Sequence, residues 1–285
     1  LGHTAQYGMK NFVRSLIPPI AQQLRRKLFP IPPVPAYTSY QEALKYCGAG
    51  YDAQKVAATV VEKTKRYRDT VTDKLSIVTE ARWTRLALGI KTAEQGGTLN
   101  CLDFGGAAGT DYLLAKQLFG DTIKFRWHVV ETKALSQEAN RFMANGELQF
   151  FDDLQAAVAA FDTPIDLLMS SGTIQCVPDA LGTLRSICAV GAKHLFLTRT
   201  ALADLPLNAR TIVQKSLLSN NGPCSLPPGV QDEEVRYPAT FADRREAEAI
   251  LSENYRIAYR FEEDRGAYTI GTQPISMYGY LAVRL

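Results

Sequence analysis

The chain has 285 residues, 46% of them hydrophobic and 21% charged, an ordinary globular composition with room for one α/β domain and an appendage. Its five cysteines, Cys47, Cys101, Cys176, Cys188 and Cys224, form no CxxC pair and fit a reducing, cytoplasmic setting, while only three histidines, His3, His128 and His194, argue against a metal centre. The net charge is +3, yet all five basic residues before Glu42 stand without an acid, and the rest of the chain is slightly acidic, which disfavours a nucleic-acid partner.

Met9, a candidate start residue, opens a stretch to Phe29 in which Phe12, Val13, Leu16, Ile17, Ile20, Leu24 and Leu28 recur at helical spacing between basic residues. Pro18, Pro19 and Arg14 interrupt it, and it is too short to span a membrane. No small-residue cleavage site follows it. Two readings stand: a helix packed on the main domain or on a second subunit, or a surface helix in peripheral contact with a membrane through residues 9–29. Pro30, Pro32, Pro33 and Pro35 then form a stiff, extended connector, which closes a first region at 1–35.

Residues 36–97 read as a helical lead-in or cap, with helices at Ser39 to Cys47, Asp52 to Arg68 and about Ile77 to Leu88. Ser39 and Asp52 are the expected N-caps. Within 98–285 the rhythm becomes strand, helix, strand, helix, the pattern of a mostly parallel sheet covered on both faces. Strands are expected at Leu99 to Phe104, Lys124 to Val130, Leu148 to Phe151, Ile165 to Ser170 and His194 to Thr198. Helices are expected at Asp111 to Phe119, Ser136 to Ala144, Leu154 to Ala160 and Asp179 to Cys188. The Asn-, Pro- and Gly-rich stretch 219–238 reads as one long loop, of the kind that serves as a lid. A helix over Phe241 to Ser252 and two strands, Tyr255 to Phe261 and Met277 to Val283, end the chain, the strands as an antiparallel pair at the sheet edge with a long connection.

In such a sheet ligands gather beyond the carboxyl ends of the strands. There the first strand runs into LDFGGAAGT, in which Asp103, Gly105, Ala107 and Gly109 form a DxGxAxG turn leading into a helix. Small residues let the backbone approach a ligand, and the helix start offers unpaired N–H groups. The next strand ends in Glu131, about twenty residues beyond Gly109, where an acid can accept ribose hydroxyls. A dinucleotide fingerprint is spaced GxGxxG, so the GxAxG spacing argues against NAD.

With these motifs the chain resembles the class I S-adenosylmethionine-dependent methyltransferases over roughly residues 99–200 and more weakly to the end. LDFGGAAG is similar to their first motif, VVE ending at Glu131 to the second, and IDLLMSSGTIQCVPD to the fourth. More narrowly, DFGG, VVE, FDDL, SSGTIQ and LTRT resemble a family of methyltransferases associated with surface-polysaccharide loci.

The resemblance implies a Rossmann-like fold with a seven-stranded, mostly parallel sheet and an antiparallel C-terminal edge hairpin, S-adenosylmethionine as cofactor, and a small-molecule or glycan acceptor. It places Asp103 near the cofactor's amino-acid portion, Gly105, Ala107 and Gly109 in the turn, and Glu131 on the ribose. Phe151 flanks the adenine, Asp152 meets its amino group, and Ser170 and Ser171 line the methionine end. Ala107 departs from the usual glycine.

Past the fourth and fifth strands, Gln175 is a candidate to orient the acceptor, and Arg199 with Thr200 to grip an anionic group. Tyr237 and Tyr278 are weaker candidates. His128 reads as a core residue and His194 opens its strand at the far end. Bland roles stand beside these: Asp152 or Asp153 as an N-cap, the serines as turn residues, Arg199 in a structural ion pair. An NAD-dependent oxidoreductase and a non-catalytic scaffold are the competing functions.

Overall fold

The computed structural model describes residues 34–70, 81–204, 210–270 and 273–285, without the side chains of 81 and 82. Apart from residue 34, all of these belong to one compact unit, Pro35–Leu285. The amphipathic stretch 9–29, most of the proline connector and the expected helical residues 77–80 lie outside the described residues.

Chain order begins with strand β1 (Ala36–Tyr37), helix α1 (Tyr40–Leu44), helix α2 (Gln54–Thr70) and helix α3 (Ala81–Ala93). There follow β2 (Thr98–Phe104), α4 (Thr110–Phe119), β3 (Lys124–Val130), α5 (Lys133–Phe142), β4 (Leu148–Phe151), α6 (Leu154–Ala159), β5 (Leu167–Ser171), α7 (Ala180–Ala189) and β6 (His194–Ala203). The chain ends with β7 (Thr211–Leu217), β8 (Glu234–Thr240), β9 (Ala242–Asp243), α8 (Arg244–Asn254), β10 (Tyr255–Ile270) and β11 (Gln273–Arg284).

The main sheet has the order β10-β11-β6-β5-β2-β3-β4, with short β9 beside β6. β2 to β6 pair in parallel, and β11 enters antiparallel between β6 and β10. The central strands are buried on both faces, so neighbouring residues serve opposite cores. Cys101, Leu167 and Phe196 pack with Leu86, Ile90, Leu114 and Ala139 on one side. Their neighbours Leu102, Leu168 and Leu197 pack with Ala157, Leu184, Ile187 and Ile250 on the other. Three helices on the second face start from aspartate caps whose carboxylates take the first free amides: Asp153 from Ala156, Asp179 from Gly182, and Asp243 from Arg245 and Glu246.

Several expected boundaries shift for identifiable reasons. Ser39 caps α1 as expected, accepting the Glu42 amide, but Asp52 ends a short 3-10 turn and α2 starts at Gln54. The lead-in is not wholly helical, because Ala36 and Tyr37 pair with Ile212 and Thr211. Residues 219–238 are not one loop either: β8 occupies Glu234–Thr240 and pairs with β7 in a separate sheet of order β1-β7-β8. Pro238, which argues against a strand, is tolerated because β8 is that sheet's edge. The final strands are longer than expected, and only residues 271 and 272 separate their last pair, Ile270 and Gln273. The connection is therefore short, not long. Among the described residues no helix is long and apolar enough to cross a membrane.

Candidate active site

Beyond the carboxyl ends of β2, β3, β5 and β6 lies a cavity of about 450 Å³. Its roof comes from α1, α2, the 3-10 turn at Gly50–Asp52, β8 and residues 220–223.

The glycine turn forms the floor. Gly105 has φ 79°, and a Cβ there would meet Thr173 Oγ1 at 2.0 Å, so only glycine allows the turn after β5 to press on the turn after β2. A Cβ on Gly106 would lie 2.3 Å from Asp103 Oδ2. The Asp103 carboxylate, 1% exposed, is thus tucked beneath the turn, where Oδ2 accepts the Trp127 Nε1 hydrogen at 3.3 Å. Gly109 caps α4 at φ 81° and packs on Leu148. Ala107 also sits in the left-handed region, at φ 51°. An alanine pays about 1 kcal/mol or more for that conformation, and its amide is held by a carboxylate.

That carboxylate is Glu131. Its Oε1 accepts the Ala107 amide at 3.0 Å and its Oε2 the Thr132 amide at 2.9 Å. A carboxylate has about four lone-pair positions, so two remain for ligand hydroxyls. Burial raises the Glu131 carboxyl above the usual carboxylate range; the two amides oppose the shift, and nearby Asp52 adds to it. Asp52 and Asp111 line the same cavity, so its lining carries three acids.

The rest of the polar lining is phenolic and cationic. Tyr40, Tyr51, Tyr237 and Tyr268 line it with Cys176, Arg199 and Arg236. The rings of Tyr51 and Tyr237 are 4.6 Å apart, and the Tyr51 hydroxyl donates to Asn221 Oδ1 at 3.0 Å. Burial pushes Tyr51 up to about 12 and raises Tyr237 as well, so both phenols remain protonated donors near neutral pH. Cys176 is likewise raised by burial to about 12, which leaves an inert thiol.

Of the residues expected from sequence, Gly105, Ala107, Glu131, Ser171, Gln175, Arg199 and Tyr237 line this cavity. Others do not meet it. Asp152 is exposed and the N-cap of α6 is its neighbour Asp153; the Phe151 ring packs on His128, 5.0 Å between centroids. Ser170 is buried and donates to the Phe104 carbonyl at 2.8 Å, while Ser171 Oγ accepts from Thr198 Oγ1 at 2.9 Å. Thr200 is buried beside Tyr278, whose hydroxyl bonds Asp204.

Gln175 lines the cavity, but its amide is spent on backbone. Its Nε2 donates to the carbonyls of Gly172, at 3.0 Å, and Arg199, at 3.3 Å, while Oε1 accepts from the Ala201 amide at 3.4 Å. It fastens the ends of β5 and β6 together rather than reaching for an acceptor. His128, buried with Nδ1 2.9 Å from the Ala157 carbonyl, is a core residue as expected, and burial lowers its pKa. Sequence reading missed Asp52, Tyr51 and Tyr268, which reach the cavity from distant elements with no motif to announce them, and passed over Thr173 inside SSGTIQ.

No protein-family model and no curated protein matches the chain. Among solved structures, geranyl diphosphate C-methyltransferase from Streptomyces coelicolor A3(2) is similar over 76% of this chain and 86% of its own, at 11% identity and a TM-score of 0.45. The N-terminal domain of EvdMO1 with SAH bound is similar over 73% and 82%, at 12% identity and 0.44. An S-adenosylmethionine-dependent methyltransferase from Clostridium acetobutylicum ATCC 824 is similar over 78% and 98%, at 10% identity and 0.44. The fold is Rossmann-like. Its own strand order establishes this, with β11 inserted antiparallel at the sheet's far side.

Proposed function

We propose that the protein is an S-adenosylmethionine-dependent methyltransferase acting on a hydroxyl or similar nucleophile. The observation that carries the reading is the acids of the cavity lining, where Glu131 is pinned to the glycine turn and Asp111 and Asp52 share the cavity with it. A sulfonium and an ammonium are cations and are favoured there, whereas the pyrophosphate of NAD would face three carboxylates. The turn fits the group: Gly105 and Gly106 leave no room for side chains, and Glu131 keeps two lone-pair positions for a ribose diol.

When bound, S-adenosylmethionine supplies a methyl group on a positively charged sulfur, which an acceptor oxygen displaces in line. The chain's own residues align and enclose. Glu131 and the glycine turn fix the nucleoside end, and the roof from α2 and residues 220–223 keeps water out. Tyr237 stays protonated and is the phenol that positions the acceptor by donating a hydrogen bond, since the Tyr51 proton is given to Asn221. The four-tyrosine wall suits the faces of sugar rings, and with the narrower resemblance of DFGG, FDDL, SSGTIQ and LTRT it supports a surface glycan or its precursor as acceptor. Incubating the protein with methyl-deuterated cofactor and a cell extract tests this. A glycan precursor heavier by one labelled methyl is the expected product, and labelling confined to non-glycan molecules would remove the glycan assignment.

A further inference from the structure

We propose that the acceptor carries an anionic group, a phosphate or a carboxylate, bound by Arg199, and that Glu263 is the positioning residue that aims Arg199. The inference rests on the methyltransferase reading above and deepens it.

Arg199 is a bulge residue. Across β6 and β11, Leu197 pairs with Tyr280 and Thr200 with Tyr278, so Thr198 and Arg199 together face the single residue Gly279. Bulges re-aim side chains beside functional sites. Here the extra residue takes φ 51°, a conformation disfavoured for arginine, and it brings the guanidinium over Gly172 at the cavity wall. Gly172, at φ 73°, suits this approach, since a Cβ there would lie 2.8 Å from Arg199 Nη2 and displace the guanidinium.

The bulge is held by a buried carboxylate. Glu263, on β10, has a side chain only 3% exposed; its Oε1 accepts the Arg199 amide at 2.7 Å and its Oε2 lies 3.1 Å from Arg85 Nη2. Gly279 clears the path, because a Cβ there would stand 2.7 Å from Glu263 Oε1. Glu263 is therefore neutralised by Arg85 and engaged by the Arg199 backbone, leaving the Arg199 guanidinium with no ion pair or hydrogen bond among the described residues. An arginine held against its backbone preference at a cavity, with the carboxylate that grips its bulge committed to the backbone and to Arg85, is arranged for an anion from outside.

The strand order says where in the cavity the charge stands. Arg199 rises from β6 and Glu131 follows β3, with β5 and β2 between them, and Tyr51 and Cys176 feel both charges. The Arg199 guanidinium is thus separated by two strands from the carboxylate that holds the nucleoside.

The test is titration of the full chain, with and without saturating S-adenosylhomocysteine, by glucose, glucose 6-phosphate and glucuronate, followed by saturation-transfer NMR. At least one anionic sugar should bind and glucose should bind at least tenfold more weakly. Arg199→Gln should weaken the anionic sugar at least tenfold and leave the S-adenosylhomocysteine affinity within twofold. Glu263→Ala should lose anion binding, and Glu263→Gln, which keeps an oxygen for the Arg199 amide, should restore most of it at an unchanged fold by circular dichroism. Equal binding of glucose, binding of none of the three, or equal loss in Ala and Gln variants overturns the proposal. A parallel loss of S-adenosylhomocysteine in Arg199→Gln also overturns it, by assigning Arg199 to the cofactor's own carboxylate. Absence of S-adenosylhomocysteine binding to the unaltered chain, with Arg199-dependent anion binding intact, removes the cofactor reading while supporting the anion subsite.

Discussion

The Ala107 amide donates to Glu131 Oε1 at 3.0 Å, which ties the glycine turn after β2 to the end of β3. One carboxylate thereby sets the shape of the turn and presents its remaining lone pairs to the cavity. Turn and strand end act as a single binding element, so damage to either is felt by the same ligand.

Glu131→Ala is expected to weaken S-adenosylhomocysteine by at least tenfold, since hydrogen bonds to a charged acceptor contribute about 1.5–3 kcal/mol each and about 1.4 kcal/mol is a factor of ten. Calorimetry on the two proteins measures it. Asp152→Ala, at an exposed position outside the cavity lining, should leave the affinity unchanged.

The turn itself makes an opposed pair of predictions. Ala107→Gly removes the left-handed strain and should stabilise the fold by about 1 kcal/mol. Gly106→Ala forces a methyl to within 2.3 Å of the buried Asp103 carboxylate and should cost about 2 kcal/mol or more, with loss of cofactor binding. Urea denaturation of both variants reads the sign directly.

Acidity enters through Glu131, whose carboxyl is raised by burial. As pH rises from the ordinary carboxylate value of 4.5, the unfolded chain gives up this proton before the folded one. The folded state then binds more protons, so this group's contribution to stability falls with rising pH until its raised folded value is passed. Glu131→Gln should flatten that part of the stability profile. Affinity runs the other way: ligand hydroxyls need the ionised form, so binding weakens as pH falls through the same window.

Lys63, fully buried on α2, donates to the carbonyls of Ser219 at 2.7 Å and Asn221 at 2.5 Å, and so holds the roof over the cavity. Lys63→Met strands both carbonyls and should destabilise by about 2 kcal/mol. Limited proteolysis should then cut first within residues 219–226, whose remaining tethers to α2 and the 3-10 turn are Arg66, on the Ser225 and Leu226 carbonyls, and Tyr51, on Asn221.

The sheet was legible because its strands are local apolar runs ending in chemical punctuation. Asp103, the glycine turn and Glu131 share one short stretch of chain, and their spacing carries their meaning. The small sheet was not legible: β7 and β8 enclose a Pro- and Asn-rich segment, and Pro238 looks like a breaker until it is seen on an edge. Gln175 illustrates a different limit. Sequence places it at the right end of β5, yet only the folded chain shows its amide consumed by three backbone groups. The Arg199 bulge depends on Gly279 and Glu263, which lie at least 64 residues away in sequence, and no local pattern encodes it.

The most direct measurement is calorimetric titration of the protein with S-adenosylhomocysteine and, separately, with NADH, repeated on Glu131→Gln. The expected result is saturable, one-to-one binding of S-adenosylhomocysteine that weakens at least tenfold in the variant, and no binding of NADH. Saturable binding of NADH, or an S-adenosylhomocysteine affinity indifferent to Glu131, would contradict the assignment.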